Sequence, residues 1–349
     1  MKKIVLGVAA LLLIATAVPT SQVWADSQDS QTTAIDERWG KPTFVAGAGL
    51  SQSQIDETMK LLGITKDEVK SDTATGADLI HYLGSGSGDD SAMISSVVVK
   101  REDKGKGINV EIVTPKNITV ITADQYKNPL VTAGITDATV KVASVVPVTG
   151  ESALTGVYKA FQVNGETVDA DRAQLAQDEL DTTTEVSSNI IDKANSENSD
   201  LSADEKAKAE EAWKAQVSQA LVDIKKELAE IKEKQGELAT KADIEKIVND
   251  ALAKNNLSQY ASEADIQKLT TLAEGYQSTD GVLDKESLAQ LDKISEGFKD
   301  TVNQLGDQLG SFGEKLEGTL QDNQGFFTNL WQGIQDFFRG LGNWFSNLF

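Results

Sequence analysis

The stretch Met93–Val113, MISSVVVKREDKGKGINVEIV, decides the fold class of this chain. Its first part, as far as Lys100, is rich in Val and Ile, and its last part, Ile108–Val113, alternates apolar and polar residues with a period of two. The polar residues Glu102–Gly107 between them suit a turn. The pattern predicts a β-hairpin, and therefore a domain that contains a sheet.

Helical patterns surround this hairpin. Ser51 and Gln54 match a capping box, which opens a helix by satisfying backbone N–H groups at its first turn. A third strand is predicted over Ala138–Val148, and one more helix follows it. The predicted order over residues 46–165 is α–β–β–α–β–α, which indicates a small α+β domain with helices on one face of a small sheet.

Beyond about residue 166 the pattern becomes helical. The region 166–284 contains a long helix whose apolar residues, from Trp213 to Ile231, recur at spacings of four and three, as in a coiled-coil seam. A second amphipathic segment, 285–322, carries an apolar seam over 288–320 with glycines beside it. We expect these helices to pack on one another or to form an oligomer.

Residues 1–25 have the pattern of a secretory signal peptide. Lys2 and Lys3 precede an apolar run that is too short to span a bilayer comfortably, and Val23–Ala25 is a small-x-small cleavage site. We predict cleavage after Ala25, a polar linker over 26–45, and a secreted, extracellular protein associated with the cell envelope.

Charge and cysteine content exclude several classes of function. The formal net charge is −21, and removal of the predicted signal peptide, which carries two lysines and no acid, makes the chain more negative still. Such a charge opposes binding to nucleic acid and electrostatic attraction to anionic lipids. Because the chain has no cysteine, it forms no disulfide and has no thiolate ligand or thiol nucleophile.

The most strongly patterned segment is 326–349. At 100° per residue its apolar residues fall within an arc of about 140°, and the opposite side is polar and almost uncharged. Aromatic residues favour the headgroup boundary of a membrane, and the wide polar side favours a helix that lies on the surface. The residues predicted to contact a membrane surface or a partner protein are Phe326, Phe327, Trp331, Ile334, Phe337, Phe338, Leu341, Trp344, Phe345, Leu348 and Phe349.

Two other partners remain open for this segment. A second copy of the chain could cover the apolar side in a homo-oligomer, or the chain's own 288–320 seam could cover it. The sequence does not distinguish these partners from a membrane.

A series of short motifs gives the first half of the chain a family resemblance. In order, they are Gly49–Ser51, Leu61–Ile64, His81–Gly84, Ser95–Val99, Gly107–Val110, Thr132–Ile135, Asp137-Ala138, Pro147–Gly150 and Ala153–Gly156. Through them the region 46–165 resembles the YpuA-like family, secreted proteins of Gram-positive bacteria that are classed as a domain of unknown function. The resemblance implies export and a small α+β domain, and it implies no activity.

The clearest enzymatic motif is Gly150–Leu154. Ser152 would be the nucleophile at a strand-to-helix turn, and His81, the only histidine in the chain, would be its general base. Leu154 stands where a nucleophile elbow has its second glycine. A turn with an N-cap explains the same residues, and a half-buried histidine within the domain explains His81.

Neither a cofactor nor a metal is predicted. One histidine without cysteine gives no transition-metal cluster. The acidic loops at Asp89-Asp90 and Ser278–Asp284 could attract calcium. In the EF-hand register, however, the second loop would have Tyr276 and Ser287 at its first and last ligand positions. We therefore interpret it as a turn followed by a helix cap.

The leading expectation is a secreted, non-enzymatic, envelope-associated protein. Its α+β domain would be a binding module, and its C-terminal amphipathic helix would attach it to a membrane surface or a partner. Two alternatives are a secreted serine hydrolase that uses Ser152 and His81, and an oligomeric structural protein assembled through its C-terminal helices.

Overall fold

The computed structural model describes residues 39–84, 88–309 and 312–313. The predicted signal peptide over 1–25 and most of the predicted linker over 26–45 lie outside these residues. So does the predicted contact helix from Phe326 to Phe349. The described residues all belong to one compact unit.

The first part of the chain forms a five-stranded sheet with the spatial order β2-β1-β3-β5-β4. Its strands are β1 (Thr43–Gly47), β2 (Lys70–Ala74), β3 (Ser96–Arg101), β4 (Ile108–Ile112) and β5 (Ala138–Ala143). β1 pairs parallel with β2 and antiparallel with β3, while β5 is antiparallel to β3 and parallel to β4. The sheet is therefore mixed.

The predicted hairpin was wrong, because β3 and β4 do not pair with each other. β5 lies between them, so that Ala138 pairs with Arg101 on one side and with Ile108 on the other. The polar residues between β3 and β4 therefore bridge over the end of β5 instead of forming a tight turn.

Asp137 holds this bridge in place. Its backbone carbonyl accepts a hydrogen bond from the N–H of Glu102 at 2.7 Å, and its carboxylate accepts one from the N–H of Gly107 at 2.7 Å. Asp137 adopts a positive φ of 44°, a conformation that Asp tolerates better than most residues. One buried residue thus fixes both ends of the connection, which the local sequence pattern does not reveal.

Two strands were missed by the sequence patterns. β1 begins inside the stretch predicted as a linker, and it is buried along its whole length, so it shows no alternation. β2, with the sequence KSDTA, is mostly polar and forms an edge of the sheet. Neither strand carries the period-two pattern on which the prediction relied.

Helices cover both faces of the sheet. They are α1 (Gln52–Leu62), α2 (Gly76–Leu83), α3 (Ala123–Thr132) and α4 (Ala153–Val163). Phe44 of the sheet packs with Met59 of α1, whereas Val97 faces the other way, into the cluster that contains Leu154 of α4. The expectation of helices on one face was therefore wrong, although the capping box at Ser51 was confirmed.

The rest of the described chain is helical, which confirms the predicted α+β class. The helices are α5 (Ala170–Glu197), α6 (Ala203–Gln235), α7 (Lys241–Lys254), α8 (Glu263–Ser278) and α9 (Lys285–Gln308). The predicted seam from Trp213 to Ile231 is buried along α6. Within the described residues, no helix combines the length and apolarity needed to cross a membrane.

A buried ion pair between two of these helices also contacts α3, a helix of the part of the chain that forms the sheet. Lys225 of α6 and Glu179 of α5 meet at 2.6 Å, and their side chains are 1% and 0% exposed. Glu179 also accepts a hydrogen bond from Thr132 of α3. Because α3, α5 and α6 meet at this pair, α5 and α6 pack directly against the part of the chain that forms the sheet.

Candidate functional site

Ser152 lies at the N-terminus of α4, but its backbone is ordinary. Its φ and ψ are −64° and −9°, within the right-handed helical region, and its side chain makes no capping hydrogen bond. β5 ends at Ala143, so an irregular loop separates the strand from the serine. A nucleophile elbow instead needs a sharp, strained turn directly after a strand.

His81 is exposed on α2, where its ring contacts Tyr82 at a centroid distance of 4.9 Å. It does not line the cavity that Ser152 lines, and within the described residues no hydrogen bond joins the two side chains. A general base must come within hydrogen-bond reach of its nucleophile. The structure thus does not bring Ser152 and His81 together as a catalytic pair.

Ser152 does line a cavity of about 240 Å³, which we call the cleft. One wall is apolar and consists of Leu79, Met93 and Val148. The loop before α4 forms the next side, and α5 closes the cleft with Gln177. The cleft is small, with room for a short side chain or a small organic group rather than a drug-sized ligand.

Gln177 is a polar lining residue of the cleft. The residue is only 9% exposed, and its Nε2 donates a hydrogen bond to Asp181 Oδ1 at 2.7 Å. Its Oε1 is buried and accepts no hydrogen bond within the described part of the chain. An acceptor left in this state costs about 1–3 kcal/mol, so a group that donates to it gains a corresponding advantage.

Carboxylates surround the mouth of the cleft. Asp181 and Glu151 both line it and are exposed, and Asp178 lies one turn before Asp181 on α5. Partial desolvation of its carboxylate beside the cleft raises the pKa of Asp181, and the negative charges of Glu151 and Asp178 raise it further. None of these three carboxylates forms an ion pair with a described residue. The mouth therefore carries uncompensated negative charge.

A second, larger groove shares Asp181 with the cleft. It has a volume of about 600 Å³ and runs between α5 and α8, with Leu175 and Leu272 among its apolar lining residues. Lys268, which also lines it, forms an ion pair with Glu185 of α5. The cleft and the groove therefore adjoin at Asp181.

The acidic loops that were considered for calcium serve as caps. Asp90 accepts a hydrogen bond from the N–H of Gly76 at 2.8 Å, and Asp89 caps the short 3-10 helix that follows it. Asp284 caps α9 through the N–H of Ser287 at 2.8 Å. Within the described ranges, no group of three or more potential ligands could hold a metal ion.

Sequence reasoning identified one side of this cleft and missed the other. The turn before α4 stood out because of Gly150 and Ser152, but Gln177 and Asp181 carried no signal. A Gln followed four residues later by Asp is an ordinary helical surface pair. Gln177 and Asp181 line the cleft only because α5 lies against the turn before α4.

The chain is similar to proteins whose function is unknown. The sequence model of the family described as "Protein of unknown function (DUF1002)" matches residues 46–294. The "Uncharacterized protein YpuA" of Bacillus subtilis (strain 168) is 32% identical over 262 residues, which cover 74% of this chain and 76% of that protein. No solved structure matches significantly. The match extends beyond the predicted resemblance over 46–165, through α5–α8 and into α9.

Proposed function

The chain belongs to the DUF1002 family of proteins of unknown function, and we propose that it is an exported binding protein of the cell envelope. The described unit binds a ligand at the cleft. The aromatic segment 326–349 attaches the protein to a membrane surface. The predicted signal peptide over 1–25 supports export, and the cleft supports the binding role.

The attachment role is supported by the burial of the apolar side of α9. The 288–320 seam was the rival partner for the aromatic segment within the chain. Its residues Leu291, Ile294, Phe298 and Val302 are at most 2% exposed, because α9 packs against α6 and α3. Phe312 continues this packing against Trp213, with ring centroids 6.0 Å apart. The described part of the seam is therefore already covered.

Attachment to a membrane would depend on apolar burial. The aromatic side of the predicted helix offers large side chains that favour the headgroup boundary. The net charge of −21 opposes attraction to anionic lipids, so added salt should not weaken the association.

Sedimentation with vesicles of phosphatidylcholine and phosphatidylglycerol tests this role. The full chain should sediment with the vesicles, and a chain that ends at Gly325 should stay in the supernatant. Equal sedimentation of the two chains would refute the attachment.

A matched pair of substitutions removes the ambiguity of a truncation. Ile334→Asp places a charge in the middle of the predicted apolar side, and Gln332→Asp places the same charge on the opposite side. The first should abolish sedimentation with vesicles and the second should preserve it. Light scattering without lipid reports the oligomeric alternative: a multimer that Ile334→Asp converts to a monomer would favour assembly between copies over attachment to lipid.

A further inference from the structure

We propose that the cleft binds a primary ammonium group carried on a short apolar stem. This inference names the ligand class of the proposed binding module and rests on that role. It does not depend on the attachment of residues 326–349.

The hydrogen-bonding groups of the cleft match an ammonium group. A primary ammonium has three N–H donors and no acceptor. The cleft offers oxygen acceptors from three side chains, Gln177, Asp181 and Glu151. The Oε1 of Gln177 adds an acceptor that has no donor within the described residues, while the Nε2 of the same side chain is engaged by Asp181. A neutral hydroxyl would leave most of this acceptor capacity unused.

The charge of the site also selects a cation. Asp181 stands near Glu151 and Asp178, and none of these carboxylates has a described cationic partner. A ligand cation would supply the missing charge at close range. The net charge of −21 for the whole chain adds a longer-range attraction for cations at low salt.

The apolar wall selects an organic cation. Leu79, Met93 and Val148 line the same cleft as Asp181 and Glu151, and an alkyl stem would cover them. A bare metal ion would leave this wall uncovered, and within the described residues the acidic groups do not converge in a metal-binding cluster. A lysyl side chain of a peptide and a free alkylamine both offer this chemistry. The groove between α5 and α8 has room for the rest of a larger ligand.

An NMR titration of the ¹⁵N-labelled full chain tests the proposal. The probes are n-butylamine, n-butanol, n-butylguanidine and the amide of Nα-acetyl-lysine. Both amines should shift the backbone signals of Gly150 and Ser152 saturably, whereas n-butanol should not. Tighter binding of the lysine derivative would assign a peptide source, and tighter binding of n-butylamine would assign a free amine.

Three substitutions make the test specific to the cleft. Asp181→Asn and Gln177→Leu should each weaken n-butylamine binding by about tenfold or more, the effect of one lost charge-assisted hydrogen bond. Asp192→Asn removes the same charge at an exposed position further along α5, and it should change the affinity less than about twofold. Because Asp181 is exposed, its substitution leaves the fold intact.

Several outcomes would overturn the proposal. Equal binding of n-butanol would show that only the apolar wall matters. Equal losses for Asp181→Asn and Asp192→Asn would show unspecific attraction to an acidic protein. Tighter binding of n-butylguanidine would show that the head group is wrong. A chain ending at Gly325 should bind n-butylamine unchanged, so failure here and failure of the vesicle experiment are separate results.

Discussion

Two helices of this protein carry the same pair of residues in different surroundings. On α5, Gln177 donates a hydrogen bond to Asp181 at 2.7 Å, and on α6, Gln219 donates one to Asp223 at 3.2 Å. Each Asp follows its Gln by four residues. We call the first the cleft pair and the second the core pair.

The core pair is surrounded by partners. Asp223 also accepts hydrogen bonds from Lys254 and Asn255 of the α7 end, both at 2.9 Å. The Oε1 of Gln219 accepts one from Ser295 of α9 at 2.8 Å. The core pair therefore ties three helices together.

The cleft pair has none of this support. The Oε1 of Gln177 is buried without a donor, and Asp181 has no described cation beside it. A polar group whose bonding capacity is met from within the chain stabilises the fold, whereas one whose capacity is left over is available to a ligand. The two pairs have the same residue types and spacing. Their partners alone distinguish the core pair, which is structural, from the cleft pair, which is a candidate for binding.

The largest expected difference comes from neutralising the two aspartates. Asp223→Asn should cost about 3–5 kcal/mol in the free energy of unfolding, because it breaks a buried ion pair in which Lys254, only 7% exposed, contacts Asp223 at 2.9 Å. Asp181→Asn should change stability by less than about 1 kcal/mol, since it removes a charge that Glu151 and Asp178 repel. Urea unfolding curves with unchanged slopes measure both values. Similar losses for the two variants would erase the distinction.

A second prediction concerns Glu227, a buried carboxyl group near the core pair whose hydrogen bonds are not all met. Glu227 follows Asp223 by one helical turn on α6, is 6% exposed, and has a buried Oε1 without a donor. Burial raises the pKa of Glu227 to about 8, and the charge of Glu230 raises it further. In the unfolded chain the group titrates near its ordinary value of 4.5. Between these two pH values the folded protein therefore binds more protons than the unfolded chain.

The sign of the pH effect follows from this difference. The stability contribution of protonated Glu227 is complete below about pH 4.5 and is lost as the pH rises to about 8. The loss should be about 4 kcal/mol across this range. Glu227→Gln should be more stable than the natural protein at pH 8, and its free energy of unfolding should depend less on pH. Glu233→Gln, an exposed position on the same helix, should leave the profile unchanged. A flat profile in the natural protein would contradict the assignment.

The fold could be predicted where local signals are strong. The capping box at Ser51 and the apolar seam of α6 were confirmed, because they depend on residues within a few positions of each other. The pairing of the strands could not be predicted in this way. The insertion of β5 between β3 and β4 depends on Asp137, which lies far along the chain from the turn that it holds.

The candidate site shows the same limit more sharply. In the sequence, Gln177 with Asp181 and Gln219 with Asp223 have identical spacing and both belong to long polar helices. Their roles differ because α7 and α9 supply partners to one pair and the turn before α4 leaves a cleft beside the other. Such partners come from distant parts of the chain, so no local pattern distinguishes the two pairs.

The smallest expected difference concerns the two glutamines themselves. Gln219→Leu removes the acceptor of the buried Ser295 hydroxyl and one donor to Asp223, and it should cost about 2 kcal/mol. Gln177→Leu removes one hydrogen bond to Asp181 but also removes an oxygen that has no donor. The two effects offset each other, so the change should stay within about 1 kcal/mol. Urea unfolding of the two variants under the same conditions measures the difference between their losses in the free energy of unfolding. If Gln177→Leu costs as much as Gln219→Leu, the oxygen of Gln177 is satisfied within the folded chain, and the cleft loses the acceptor on which ammonium binding depends.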